Sequence, residues 1–120
     1  MENKRDISKK NLTKAMNMLK LSSENVKHQQ KIRDLSMKIQ FSLNSLIQNE
    51  KKIWLRTKIG KEMINEFYDS TDKFIELMEN SQNVFSDESK LEELNNAAEE
   101  VEKVGKKINE ETKKRNMVVT

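Results

Sequence analysis

Cysteine and proline are absent from the 120 residues, and glycine occurs only twice, at Gly60 and Gly105. Without cysteine there is no disulfide, no thiolate metal site and no redox indication of a compartment. With no proline and so little glycine the chain has few obligatory breaks, which is the composition of long helices. Hydrophobic residues reach only 34%, aromatic residues only 5%, and charged residues make up 36%. A single domain of this size buries about two-thirds of the surface that its unfolded chain exposes, so the core is expected to be thin and a deep pocket is not expected. Nowhere do 18 apolar residues run together, and Met1 to Lys10 is charged with no apolar h-region, so neither a membrane span nor a cleavable signal is expected.

What the chain has is charge, and it is unevenly placed. The formal net charge is +3, yet residues 1–61 hold 15 Lys and Arg against 5 Asp and Glu, while residues 62–120 hold 8 against 15. Two halves of opposite sign attract each other, which favours pairing within the chain over an external acidic partner.

Apolar residues follow a helical period in both halves. The first carries Leu12, Met16, Leu19 and Val26, then Ile32, Leu35, Ile39, Leu43, Leu46, Ile47 and Ile53. Ile32, Ile39, Leu46 and Ile53 are spaced by seven, the repeat that keeps a narrow seam against a partner helix. Ser22 and Ser23 suggest a kink where the seam shifts. In the second half Ile64, Thr71, Met78 and Phe85 fall at one heptad position, with Gly60, Phe67, Phe74 and Ser81 at the other. Leu91, Leu94, Ala98, Val101 and Ile108 continue the stripe after a slip. Ser86 and Ser89 are cap candidates there, Ser89 with Glu92 at capping-box spacing. Over residues 80–90 a bent helix is favoured, with a loop as the alternative.

Reversal of direction is best placed at Leu55 to Lys61, where Gly60 permits a tight conformation and Thr57 can cap the next helix. The expected fold is therefore all-α, a single domain over 1–120 forming a long antiparallel two-helix hairpin. Helix one spans about 8–55, the turn about 56–61 and helix two about 62–115. Residue i then faces about residue 115 minus i, setting Lys14, Lys20, Lys27 and Lys31 beside Val101 to Val84 and their acidic neighbours. Ser42, Asn49, Thr71 and Ser81 fall at or near core positions, where each polar group weakens an isolated hairpin. That pattern argues for a partner.

Chemistry-bearing constellations are sparse. His28, the one histidine, sits in a polar stretch without companions and reads as a solvent-facing side chain rather than a ligand or base. Glu88 with Glu92, and Glu99 with Glu102, share helical faces but lack a Glu-x-x-His companion, and read as a solvated surface. Neither glycine belongs to a phosphate loop. No catalytic residue, metal ligand or cofactor is implied, and the chain reads as a non-enzyme. The basic first half leaves nucleic acid, or inhibition of a nucleic-acid enzyme, as an alternative target; it is disfavoured because Phe41 is nearly alone there as a stacking group. A structural coiled-coil homodimer is a further alternative. Ile53, Trp54 and Leu55 point in three helical directions, so a two-helix hairpin cannot bury all of them.

With its central tryptophan and glycine (Trp54, Gly60) and an aromatic soon after (Phe67), the chain resembles the small helical-hairpin proteins of type VII secretion. These are the WxG-motif family and the helical partners encoded beside LXG toxins in Gram-positive bacteria. Here the glycine follows the tryptophan by six residues rather than two. Tyr68 and Asp72, in Tyr-Asp-Ser-Thr-Asp, match the family's Tyr-x-x-x-Asp export motif. The resemblance implies a targeting factor or chaperone that pairs with a second hairpin or with the N-terminal helical domain of a toxin. Trp54, Gly60, Ile64, Phe67 and Phe74 would be the partner-binding residues. It also implies a cytoplasmic protein, or one exported with its partner by a route that needs no signal peptide.

Overall fold

The computed structural model describes residues 3–22, 28–80 and 87–119. These residues are helical, with no strand among them, and they form four helices rather than two: α1 (Lys4–Ser22), α2 (Gln29–Asn49), α3 (Lys58–Asn80) and α4 (Glu88–Val119), with a 3-10 turn at Ile53–Arg56. The expected two-helix hairpin is therefore corrected to a four-helix bundle. Each expected long helix is interrupted, the first between Ser22 and Gln29 and the second between Asn80 and Glu88. Neither interruption contains a proline or glycine. Ser23, Val26, Ser81, Phe85 and Ser86 lie outside the described residues.

Side-chain pairs fix the directions of the helices. Lys9 Nζ lies 3.7 Å from the Glu50 carboxylate, which puts the start of α1 beside the end of α2. Lys14 Nζ donates to Glu79 at 3.3 Å, and Arg5 lies beside Tyr68, so α1 and α3 run in the same direction. Lys31 Nζ donates to Glu88 at 2.8 Å, Lys38 bonds Asn95 and Asn49 bonds Asn109, so α2 and α4 are also parallel. The molecule is thus two antiparallel hairpins, α1–α2 and α3–α4, laid side by side in the same orientation. The largest helix contact joins α2 to α4. Residue 115 minus i does not describe the pairing: Lys14 meets Glu79 rather than Val101, and Lys31 meets Glu88 across a parallel crossing.

Heptad positions fall where a seam requires. Ile32, Ile39, Leu46, Phe67, Thr71, Phe74 and Met78 are buried, as are Leu91, Leu94, Ala98, Val101 and Ile108. Ile53 breaks the series because α2 ends at Asn49, and its side chain stands in solvent. Local signals mark three helix starts. Asp6 N–H donates to Asn3 Oδ1 at 2.9 Å, and Gly60 N–H donates to Thr57 Oγ1 at 3.2 Å, as a Thr57 cap requires. Ser89 does not cap α4; its N–H donates to Asp87 Oδ1 at 3.0 Å, so Asp87 is the cap and Ser89 lies within the helix. His28 precedes α2 and is buried, not solvent-facing.

Candidate functional site

The turn between the two hairpins is built by one close approach. Trp54 and Leu55 are drawn inward by the 3-10 turn, and α3 begins directly against them. A methyl group at Gly60 would sit 2.1 Å from the Trp54 carbonyl oxygen and 2.5 Å from Leu55 Cα. Glycine is needed here for space, not for a left-handed backbone. Thr57 N–H and Thr57 Oγ1 both donate to that same Trp54 carbonyl, at 3.1 and 2.6 Å, which closes the turn.

Beneath it lies a buried polar ladder between α2 and α4. Asn49 Nδ2 donates to the Ser45 carbonyl at 2.7 Å and to Asn109 Oδ1 at 2.6 Å. Asn109 Nδ2 donates back to Ser45 Oγ at 3.0 Å. Trp54 Nε1 donates to Thr112 Oγ1 at 2.8 Å. The Thr112 hydroxyl in turn has Asn49 Oδ1 at 2.7 Å and the Ile108 carbonyl at 2.9 Å, and its single proton serves one of them at a time. The Arg115 guanidinium covers the Trp54 ring at 5.1 Å, with Glu111 Oε1 3.3 Å from its Nε. These are neutral amides and hydroxyls closed on one another, a set that fixes which helix pairs with which.

The polar residues expected to weaken the core are thereby satisfied. Ser42 Oγ donates to the Lys38 carbonyl at 2.8 Å and Thr71 Oγ1 to the Phe67 carbonyl at 2.9 Å. Asn49 belongs to the ladder. None of the three requires a second protein to complete it.

Of the residues that sequence places at a partner interface, Trp54, Gly60, Phe67 and Phe74 are buried in the bundle's own core and Ile64 is partly buried against it. Tyr68, midway along α3, is buried against the start of α1, edge-on to Phe67 with ring centroids 6.4 Å apart. Burial, the first cause, pushes its hydroxyl pKa upward; the Asp6 and Glu50 carboxylates add to the rise and Arg5 opposes it. Asp72, one turn further along α3, is exposed. The two residues of the Tyr-x-x-x-Asp match therefore occupy different environments. Among the described residues no group of three or more His, Cys, Asp or Glu is placed to hold a metal ion.

The surface offers a feature that the inward heptad does not account for. Along the outward face of α2 lie Met37, Gln40, Asn44 and Ile47, spaced 3, 4 and 3 residues apart and all exposed, with Met37 71% and Ile47 45% accessible. Gln40 Nε2 donates to Asn44 Oδ1 at 3.1 Å, so the two amides at the centre of the stripe are already aligned. Between Ser36 and Asn49 the only charged residue is Lys38, in a chain that is otherwise 36% charged. Ile47, expected in the inward stripe, is instead outward: it follows the buried Leu46 by one residue, about 100° round the helix, and shares the outer face with Met37. No protein family, curated protein or solved structure matches the chain.

Proposed function

We propose that the protein is a non-enzymatic helical module that binds another helical protein through the outward face of α2. In its more specific form the partner is the N-terminal helical domain of a toxin exported by a type VII route, with this chain as its targeting factor or chaperone. The observation that supports the reading is the uncharged stripe of Met37, Gln40, Asn44 and Ile47. Its 3-4-3 spacing suits a further helix, apolar at both ends and with amides in the middle that can set register. A solvated helix face in so charged a chain is ordinarily occupied by Lys and Glu, as on α4.

The test is co-expression with candidate toxin N-terminal domains from the same gene neighbourhood, followed by size-exclusion chromatography. A one-to-one complex is expected with the parent and not with Met37→Glu/Ile47→Glu, whose own helical circular dichroism should be unchanged. Equal complex formation by the variant would remove α2 from the interface. A parent chain that forms only a dimer of itself would favour the structural coiled-coil reading.

A further inference from the structure

Parallel packing of the two hairpins has an electrical result. It brings the starts of α1 and α3 to the same end of the bundle as the finishes of α2 and α4. Stretches 3–10, 45–68 and 103–115 meet there and hold 15 Lys and Arg against 6 Asp and Glu. The remaining described residues hold 7 against 12. A bundle about 49 Å long thus carries a cationic end, with the net negative charge spread over the rest of its length.

At the apex of the cationic end is the connection from α2 to α3. Trp54 and Leu55 turn into the core, which leaves their neighbours outside. Ile53 is 79% and Ile59 57% accessible, and Lys51, Lys52, Arg56 and Lys58 are all exposed around them. Two β-branched apolar side chains held in water at the apex of a structure contribute nothing to its own core. Ringed by cations, they have the composition of a shallow membrane anchor: apolar side chains for the boundary of headgroups and acyl chains, and ammonium and guanidinium groups for lipid phosphates.

We propose that this apex is a peripheral contact for an anionic bilayer surface, with Ile53 and Ile59 entering the interface and the four cations pairing with lipid phosphates. No described helix is long and apolar enough to cross a membrane, so the contact is one of docking and not of spanning. A bilayer fits the apex better than nucleic acid does. Phosphodiester binding would use the cations but gains nothing from the isoleucines, and the aromatic group nearest the apex, Trp54, is buried beneath Arg115 and cannot stack on a base. The inference is independent of the α2 face and stands if that reading fails.

The experiment is co-sedimentation of the full chain with vesicles of phosphatidylcholine alone and of phosphatidylcholine mixed with phosphatidylglycerol, at low and high salt. Retention on the mixed vesicles at low salt, and loss on the neutral ones, is expected. Ile53→Ser/Ile59→Ser should weaken that retention by about tenfold, and Lys51→Gln/Lys52→Gln/Arg56→Gln should abolish it. Every substituted side chain is exposed, and unchanged thermal melts would show that the variants fold. No retention on anionic vesicles overturns the proposal. So does retention that ignores the isoleucine substitutions while duplex DNA displaces the protein, which would identify a general polyanion surface instead.

Discussion

The indole nitrogen of Trp54 donates to the hydroxyl of Thr112 across 58 positions of sequence, at 2.8 Å. Through that bond the turn between the hairpins is tied to the end of the fourth helix, and through Thr112 to Asn49 at the end of the second. Removing the hydroxyl strands two buried partners. Thr112→Val is expected to lower stability by about 1–3 kcal/mol, the usual cost of leaving buried polar groups unpaired. Thr112→Ser should retain most of it. Urea denaturation measures both, and a double-mutant cycle with Asn49→Ala should show coupling rather than additivity.

The two glycines should respond differently to the same change. Gly60→Ala forces a methyl to within 2.1 Å of the Trp54 carbonyl oxygen, which is backbone and cannot swing aside. A loss of about 1–3 kcal/mol is expected from such overpacking, with altered Trp54 fluorescence. At Gly105 the nearest atom to an added methyl is Ser45 Oγ at 3.4 Å, the end of a short side chain. Gly105→Ala also gains helix propensity, so it should be neutral or stabilising by up to about 1 kcal/mol. Equal losses at both positions would contradict the close approach at the turn.

Tyr68 is expected to contribute an alkaline limit to the fold's stability. Its pKa is raised first by burial and then by the Asp6 and Glu50 carboxylates, against Arg5. A raised folded-state pKa means that the protonated hydroxyl is favoured in the native chain. The associated stability is fully present below the unfolded value of about 10 and is lost as pH climbs from there through the higher folded value. Urea midpoints followed into that range should fall for the parent and fall less for Tyr68→Phe. Indistinguishable profiles would show that Tyr68 does not govern the limit.

Charge pairs across the hairpins are expected to matter little. Lys14–Glu79 and Lys31–Glu88 are solvent-accessible, at 3.3 and 2.8 Å, and exposed pairs contribute about 0.2–1 kcal/mol and weaken with salt. Glu79→Gln and Glu88→Gln should each cost less than about 1 kcal/mol. Phe74→Ala, which empties a fully buried site, should cost about 3–5 kcal/mol. Thermal or chemical denaturation of the three variants gives the ranking, and a larger loss from either glutamate would reverse the division of labour between seam and charge.

Sequence reveals the buried faces far better than it reveals the path of the chain. The seven-residue spacing of Ile32, Ile39 and Leu46, and of Phe67 with Phe74, marks core positions because burial of a helix stripe imposes that period whatever the partner. The same property makes the partner's direction illegible: a heptad stripe is equally satisfied by a parallel or an antiparallel neighbour. Both reversals coincide with the seam's slips, between Val26 and Ile32, which reads as a kink, and between Phe85 and Leu91, where a loop is the alternative to a bend; at each, six residues stand in place of seven. A slip without proline or glycine reads as a bend. At the site, Thr57 and Gly60 carry local signals and are legible. Asn49 is legible as a core position but not as part of a ladder, and Thr112 is not legible at all, since the value of an amide or hydroxyl in a core depends on a partner some 60 positions away. Met37 and Ile59 were missed because exposure is a property of the assembled bundle.

Neither hairpin can bury its apolar face alone, because the largest helix contact, between α2 and α4, joins one hairpin to the other. The two are in effect separate subunits held by a tether of one 3-10 turn, and a short tether acts chiefly by raising the effective concentration of one part around the other, to about the millimolar range. Cutting the backbone between Lys52 and Ile53 would leave fragments that are incomplete by themselves and complementary when mixed. The halves are then expected to reconstitute the bundle from solution in a concentration-dependent manner, recognising each other through Asn49, Asn109 and Thr112.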